Sequence, residues 1–218
     1  MIDVVFVSNN QTGYLWEMTR NAIRTAKENA GINIGKIVVV EENRTARPQT
    51  GTKMLYYNFK FNYNMCLNLG FSVCESKYVA FCNNDLYFDQ NWAKNAIYAM
   101  ETHGFKSVSP THRHLFGELK VGYEIGKHVL GWCIIVDRIV MDKIGGFDTP
   151  VKFWFSDDVY AEQLKAAGIK HALVGTSRVK HFTSSSLRKV VKGRERAAMQ
   201  RGQSKLFEQY KKEKRGNV

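Results

Sequence analysis

The feature of the sequence that most constrains the fold is an alternation of short, apolar, β-branched runs with segments of helical periodicity. The runs have the length and composition typical of buried strands. Strands are predicted at residues 2–8, 36–40, 78–82, 107–109, 129–136 and 171–174. Helical patterns separate most of these strands, with the apolar residues on one face of each helix. Because strands joined through helices form βαβ units, the sequence predicts an α/β fold.

The charge is distributed unevenly along the chain. The 218 residues include 32 Lys and Arg against 20 Asp and Glu, which gives a net charge of +12. Residues 185–218 contain eleven of these cations and three Glu, a net charge of +8 within 34 residues. We therefore divide the chain into one α/β domain, residues 1–184, and a basic, helical C-terminal extension, residues 185–218. A positive excess of this size favours a polyanionic partner such as nucleic acid.

The cysteines and the apolar runs indicate in which cellular compartment the protein is expected. The four cysteines form no CxxC pair, and Cys82 and Cys133 lie in apolar, strand-like runs. This pattern favours reduced, buried thiols over disulfides or a zinc site, as in a cytoplasmic protein. The sequence has no run of 18 apolar residues, so no membrane span is expected. The oligomeric state stays open.

Acidic and amide side chains follow two of the predicted strands. Glu41 and Glu42 come after the second strand, and Asn83, Asn84 and Asp85 come after the third. In open α/β sheets, ligands bind beyond the carboxyl ends of the strands. A carboxylate there can accept hydrogen bonds from a ribose, and oxygen ligands suit Mg²⁺ or Mn²⁺. Taken by itself, however, the Asn-Asn-Asp tripeptide favours a simple turn.

A second acidic feature opens a predicted helix. Asp157 and Asp158 follow the aromatic run at residues 153–155. A single acidic residue at a helix N-terminus is usually a cap that complements the helix dipole. Two adjacent carboxylates drive their pKa values apart, and an apolar wall raises the pKa of the buried one, which suits a general base. His181 follows the last predicted strand, where a role in metal binding is open to it.

Together these pieces resemble the family 2 glycosyltransferases, which have the GT-A fold. The resemblance covers residues 2–186 and rests on the ordered motifs VVFVSNN, KIVVVEEN, FNYNMCLNLGFSVCESKYVAFCNNDLYF, GWCIIVDRIVMDKIGGFD, FWFSDDVYAEQLKAAGIKHALV and VKHFTSSS. It implies a Rossmann-like mixed sheet flanked by helices. It also implies inverting transfer of a sugar from a nucleotide-sugar of the UDP type, assisted by Mn²⁺ or Mg²⁺.

Carried over by position, the resemblance assigns five residues to the nucleotide-sugar. Glu42 matches the carboxylate that holds the nucleoside, although the family has Asp there. Asn64 matches an asparagine in the nucleotide-facing helix. Asn83, Asn84 and Asp85 lie at the Asp-x-Asp metal motif, whose last member, Asp85, would bind the metal. Asn83 replaces the first Asp of that motif, which lowers the negative charge offered to the metal.

The resemblance also implies roles in the chemistry. Asp157 and Asp158 match the acidic pair that supplies the general base, and Asp158 is the expected base. His181 matches a histidine that completes the metal shell in some members. Gly131 and Trp132 would line the acceptor side, where the glycine allows close approach and the indole offers a stacking face. A core aromatic is an equally good interpretation of Trp132.

The basic extension leads to an expected acceptor. The chain resembles small GT-A enzymes of tailed phages that glycosylate hydroxymethylated bases in phage DNA inside the host cytoplasm. We therefore expect 5-hydroxymethylcytosine as the acceptor and favour arabinose over glucose as the sugar. Cations of the extension would bind the DNA phosphates; those nearest the catalytic region are Arg188, Lys189, Lys192 and Arg194. The donor pocket would be built entirely by residues before 186, so the extension would be separable from it.

Two alternatives remain at this level. In a glycosyltransferase of surface-glycan assembly, the basic extension would lie on anionic lipid headgroups. The second alternative is a non-catalytic nucleic-acid-binding protein on a transferase scaffold. Its best support is the neutral Asn83, since such a protein would need no metal. Retention of the acidic residues and of His181 argues against the second alternative.

Overall fold

The sheet predicted from the apolar runs is present and is mixed rather than wholly parallel. The structure is a computed structural model that describes residues 1–112, 117–182 and 193–216, with only the backbone at residues 193, 194, 215 and 216. Its strands are β1 Ile2–Ser8, β2 Ile34–Glu41, β3 Lys53–Tyr56, β4 Tyr78–Asn83, β5 Leu86–Phe88, β6 Ser107–Thr111, β7 Leu119–Val121, β8 Cys133–Asp137 and β9 His171–His181. Its helices are α1 Gly13–Glu28, α2 Tyr63–Phe71, α3 Trp92–His103, α4 Arg138–Ile144, α5 Ser156–Ala166 and α6 Gly193–Gly216.

Strand order explains where polar loops collect. Across the described residues the order is β3-β2-β1-β4-β8-β6-β9-β5, and β7 pairs with β9. Strands β3, β2, β1 and β4 are mutually parallel, whereas β8 runs antiparallel to both β4 and β6. The carboxyl ends of the parallel strands therefore lie along one edge of the sheet, the edge at which ligands bind in open α/β folds.

Helices cover both faces of the sheet because its central strands are apolar on both sides. In β1, Val4 and Phe6 pack into a core that includes residues of α1 and α3. The alternate residues Val5 and Val7 pack into a second core that includes residues of α2, α4 and α5. The two-residue period of a strand sends neighbouring side chains to opposite faces. An uninterrupted apolar run is thus the sequence signature of a doubly covered strand.

A buried carboxylate fixes the amino-terminal edge of the sheet. Asp3 is 1% exposed and accepts hydrogen bonds from the backbone N–H of Lys36, Glu75 and Ser76 and from the Ser76 hydroxyl. Burial opposes ionisation, but these hydrogen bonds outweigh it, so the pKa of Asp3 is below its ordinary value. Asp3 thereby joins β1 to β2 and to the segment before β4.

The C-terminal helix is packed against the α/β domain. Phe207 and Tyr210 of α6 form a small apolar cluster with Val151 and Val159. The Tyr210 hydroxyl donates to the Asp148 carboxylate at 2.6 Å. The basic extension is therefore not a simple solvated appendage, because α6 contributes buried side chains. None of the helices in the described ranges is long and apolar enough to cross a membrane.

Each of the six strands predicted from the sequence is present, but three short strands were not predicted and two strand boundaries differ by several residues. Strands β3, β5 and β7 have only three or four residues, too few for a periodic pattern to identify. The strand predicted at 129–136 begins at Cys133, and the last strand extends to His181. The four cysteines are free and buried, as expected.

We predict that Gly70→Ala destabilises the protein. A Cβ at Gly70 in α2 would lie 2.3 Å from Val5 Cγ1, inside the packed layer between α2 and the sheet. Overpacking of this kind costs about 1–3 kcal/mol. Gly202→Ala is the matched control, because that α6 glycine has open space around its Cβ position. The control should be stabilised by about 0.5–1 kcal/mol from helix propensity. Urea unfolding of both variants tests this, and equal stabilities would contradict the tight α2 packing.

Candidate active site

A cavity of about 620 Å³ opens at the carboxyl ends of β1, β2 and β4. Its size is that of a small-molecule site. The strand ends contribute Ser8, Asn9, Glu42, Asn83, Asn84 and Asp85. The segments before α2 and α5 contribute Lys60, Phe61, Lys152, Phe153 and Trp154. His181 and the α6 residues Arg196, Met199 and Gln203 complete the described walls together with Val7, Gln11, Leu15 and Tyr63.

The two glutamates after β2 have different positions. Glu41 is 0% exposed, and its carboxylate accepts hydrogen bonds from Ser8, Asn10 and Asn43. Glu42 lines the cavity and accepts a 2.6 Å hydrogen bond from Asn9 Nδ2. Burial and the nearby negative charge of Glu41 raise the pKa of Glu42, against the effect of the Asn9 hydrogen bond. Glu42 is thus the available carboxylate at this end of the cavity.

The Asn-Asn-Asp segment divides its side chains between structure and site. Asn83 Oδ1 accepts a 2.8 Å hydrogen bond from the Tyr63 hydroxyl. Asn84 Nδ2 donates to Thr19 Oγ1 at 2.9 Å. Asp85 is 4% exposed, and its Oδ1 has no hydrogen-bond partner among the described residues. Asp85 is therefore the member of this segment whose buried oxygen is left for a ligand, because a buried polar atom normally has a partner.

Pairing of β5 with β9 brings His181 to Asp85. Leu86 is opposite His181 in this antiparallel pair, and Phe182 N–H donates to the Asp85 carbonyl. His181 Nε2 consequently lies 3.2 Å from Asp85 Oδ1, although not in hydrogen-bonding geometry. The indole of Trp132 stacks on the His181 ring with centroids 5.6 Å apart and fixes its plane.

The chemistry of this pair suits a divalent cation that is shared with a ligand. A carboxylate oxygen and an imidazole nitrogen are acceptable donors for Mn²⁺ in particular. In the described residues, no cluster of three or more His, Cys, Asp or Glu side chains could hold a metal. Asp85 and His181 therefore fit an ion whose remaining ligands come from a diphosphate and water, not one held by protein alone.

The two aspartates at the start of α5 face different surroundings. The side chain of Asp157 lies directly on Gly131, where a Cβ would be 2.5 Å from Asp157 Cβ. Burial, and then the charge of Asp158, raises the pKa of Asp157 to about 6. Burial also raises the pKa of Asp158, but its charged neighbours are Lys211, Glu162 and Lys165. The absence of a side chain at Gly131 therefore makes room for Asp157.

A strained turn places this acidic pair. Phe155 has φ of 68°, a left-handed conformation that is costly for a bulky residue, typically by about 1–3 kcal/mol. Its ring stacks on Phe207 of α6, with centroids 5.6 Å apart and planes 9° from parallel. Gln203 Oε1, also from α6, accepts hydrogen bonds from the backbone N–H of Lys152 at 2.9 Å and Phe153 at 2.7 Å. Helix α6 thus holds the turn from which α5 begins.

The structure brings only some of the predicted site residues to the cavity. Those that do not line the described cavity are Asn64, Gly131, Trp132, Asp157 and Asp158. Asn64 is 1% exposed, and its Nδ2 donates to the Asp148 carbonyl. The cavity is not built only by residues before 186, since α6 supplies Arg196 and Gln203. The residues that α6 contacts cannot be identified from the sequence pattern, because they are about 50 residues away along the chain. Arg188, Lys189 and Lys192 lie outside the described residues, as does the side chain of Arg194.

We predict that Asp157→Asn stabilises the protein at pH 7.5 and has little effect on stability at pH 4. The carboxyl is harder to ionise in the folded state, with a pKa raised from 3.8 to about 6, so wild-type stability falls as the pH rises through this range. The variant should gain about 1–3 kcal/mol at pH 7.5, because a tenfold change in an ionisation equilibrium is about 1.4 kcal/mol. Urea unfolding at both pH values measures it. Equal effects at pH 4 and 7.5 would show that the folded protein does not resist ionisation of Asp157.

We also predict that Gln203→Ala destabilises the protein by about 1–3 kcal/mol, because two backbone N–H groups lose their acceptor. Gln209→Ala is the matched control on the same helix, since Gln209 is exposed and bonds only to Glu213 in the described residues. Thermal unfolding compares the two variants. A control as damaging as Gln203→Ala would mean that α6 is sensitive to any substitution.

Comparison with known proteins identifies the fold. No family model matches the chain, and no curated protein matches it. Among solved structures, it is similar to the crystal structure of S. aureus TarS residues 1–349, with a TM-score of 0.63 at 11% sequence identity. The match covers 82% of this chain and 59% of the TarS chain, so this chain spans less than two-thirds of that structure. TarS is a glycosyltransferase with a GT-A-like fold. At this identity the likeness concerns the fold alone, and the mixed sheet flanked by helices is a GT-A-like fold.

Proposed function

We propose that this chain is an inverting glycosyltransferase that transfers a sugar from a UDP-type nucleotide-sugar to an acceptor hydroxyl. The observation that carries the proposal is the buried, unpartnered Asp85 Oδ1, 3.2 Å from His181 Nε2, at the cavity edge of a GT-A-like sheet. A buried carboxylate oxygen without a partner is costly unless a ligand completes it. A protein that binds no ligand here would have no reason to keep a buried oxygen that lowers its stability.

The donor would be held by the strand-end side of the cavity. Glu42 would accept hydrogen bonds from the nucleoside hydroxyls. Its position after β2, in the cavity wall, suits it to this role. Asp85 and His181 would hold Mn²⁺ or Mg²⁺, and the bound cation would neutralise charge on the departing diphosphate. Asn83 and Asn84 support this segment through Tyr63 and Thr19.

The acidic pair would supply the general base. Neither aspartate lines the described cavity, and we favour Asp157 because its contacts lead to His181 in the cavity wall. A chain of contacts leads from Asp157 through Gly131 and its neighbour Trp132 to His181. Asp158, the base expected from the sequence, has its charged neighbours on α5 and α6 instead. In the proposed reaction Asp157 accepts the proton of the acceptor hydroxyl as that oxygen attacks the anomeric carbon from the face opposite the diphosphate. A pKa near 6 leaves Asp157 ionised, yet more basic than an ordinary carboxylate, at neutral pH.

The proposed acceptor is 5-hydroxymethylcytosine in DNA, with arabinose as the favoured sugar. The net charge of +8 in residues 185–218 supports a polyanionic acceptor. The start of α6 lies at the cavity, so cations of the extension are close to the place where the acceptor would react. A base within a duplex would have to be flipped out to reach Asp157.

The test is mass spectrometry of nucleosides from hydroxymethylated DNA after incubation with the protein, Mn²⁺ and a panel of nucleotide-sugars. We expect a glycosylated hydroxymethylcytidine with one UDP-sugar and none with Asp85→Asn. Asp157→Asn should slow transfer by about 10²- to 10⁴-fold, the usual contribution of a general base. A larger loss in Asp158→Asn would return the base to Asp158. Turnover of a nucleotide-sugar with no product on DNA would move the acceptor to a glycan, and no turnover of any donor would overturn the proposal.

A further inference from the structure

Three cations line the cavity from three separate parts of the chain. Lys60 precedes α2, Lys152 precedes α5, and Arg196 lies in the first turn of α6. They share the cavity with the carboxylates Glu42 and Asp85. The cavity therefore offers both acceptors for neutral hydroxyl groups and donors for an anion.

None of the three cations has a carboxylate partner within ion-pair distance among the described residues. Other cations of the protein are paired, as Lys211 is with Glu208 and Lys214 with Asp148. Lys60 and Lys152 lie close enough that the charge of Lys60 lowers the pKa of Lys152. Holding like charges together costs free energy that a bound anion would remove.

The anion must be compatible with the rest of the cavity. Phosphate oxygens accept the hydrogen bonds that Lys and Arg donate, and Arg in particular can bind them in a bidentate manner. A nucleoside diphosphate carries both these oxygens and ribose hydroxyls, which can donate hydrogen bonds to a carboxylate such as Glu42. One molecule of this class would satisfy both kinds of group in a cavity of about 620 Å³. The phosphodiesters of a DNA strand share the phosphate chemistry but leave Glu42 unexplained.

We infer that Lys60, Lys152 and Arg196 form a binding site for the diphosphate of the nucleotide donor, with α6 supplying one of its three cations. The inference rests on the proposed function, and it deepens it. Asn83 is neutral and its Oδ1 is bonded to Tyr63, which leaves Asp85 as the carboxylate of that segment at the metal. The cations of the protein then provide part of the charge neutralisation that the diphosphate requires, whether or not a metal is bound.

The experiment is calorimetric titration of the full chain with UDP and with uridine, in EDTA, so that protein cations alone act on the phosphates. Wild type should bind UDP at least about tenfold more tightly than uridine. Lys152→Gln and Arg196→Gln should each weaken UDP binding about tenfold and leave uridine binding unchanged. The matched control is Lys143→Gln, which removes an exposed positive charge in α4, outside the cavity. It should behave as wild type.

A second arm distinguishes the two sources of phosphate. The same variants are titrated with a short single-stranded DNA. Unchanged UDP affinity in Lys152→Gln and Arg196→Gln overturns the inference, and a loss of DNA affinity in those variants would then assign the cations to the acceptor. If the wild type binds neither UDP nor uridine, even with Mn²⁺, the donor site itself fails. That result would overturn the proposed function, whereas a wild type that binds UDP only as tightly as its variants do would overturn the inference about the cations alone.

Discussion

The geometry of the cavity depends on the hydrogen bonds that the buried carboxylate of Glu41 accepts. Glu41 is 0% exposed, and its two oxygens accept hydrogen bonds from Ser8 Oγ, Asn10 N, Asn10 Nδ2 and Asn43 N at 2.6–2.9 Å. These groups belong to the loops after β1 and β2, so one side chain closes both loops against each other. A buried charge of this kind is tolerated only when its lone pairs are fully used. Its neighbour Glu42 is consequently directed into the cavity, where it accepts a hydrogen bond from Asn9.

The opposite side of the cavity depends on tertiary contacts that join distant parts of the chain. The pairing of β5 with β9 sets His181 beside Asp85. The contacts of Gln203 and Phe207 hold the turn that precedes α5, and this turn contains the strained Phe155. Because α6 forms both this support and part of the cavity wall, the basic extension belongs to the site.

The sequence predicts the α/β class well because doubly covered strands produce apolar runs that need no tertiary information. It also points to Glu42 and Asp85, which line the cavity, since side chains at strand ends are fixed by local position. The acidic pair at the start of α5 does not line the described cavity. The sequence does not distinguish Asp157 from Asp158, because their difference comes from Gly131 and Lys211, which are distant in sequence. The packing of α6 cannot be predicted from the sequence either, because its contacts are also distant in sequence.

Several features that cost free energy lie around this cavity, although the left-handed Asn91, before α3, does not line it. In the described residues, Asn9 Oδ1 and Asp85 Oδ1 are the buried side-chain polar atoms without a hydrogen-bond partner, and both residues line it. The left-handed Phe155 lies at the same edge, directly after Trp154 of the cavity wall. Elsewhere, buried groups such as Asp3, Glu41 and His171 have partners for their polar atoms. Local rules are commonly broken where a ligand restores the balance. Among the described residues, an oxygen without a hydrogen-bond partner and lysines without a carboxylate partner, all on the walls of one cavity, form the pattern expected where a ligand completes both kinds of group.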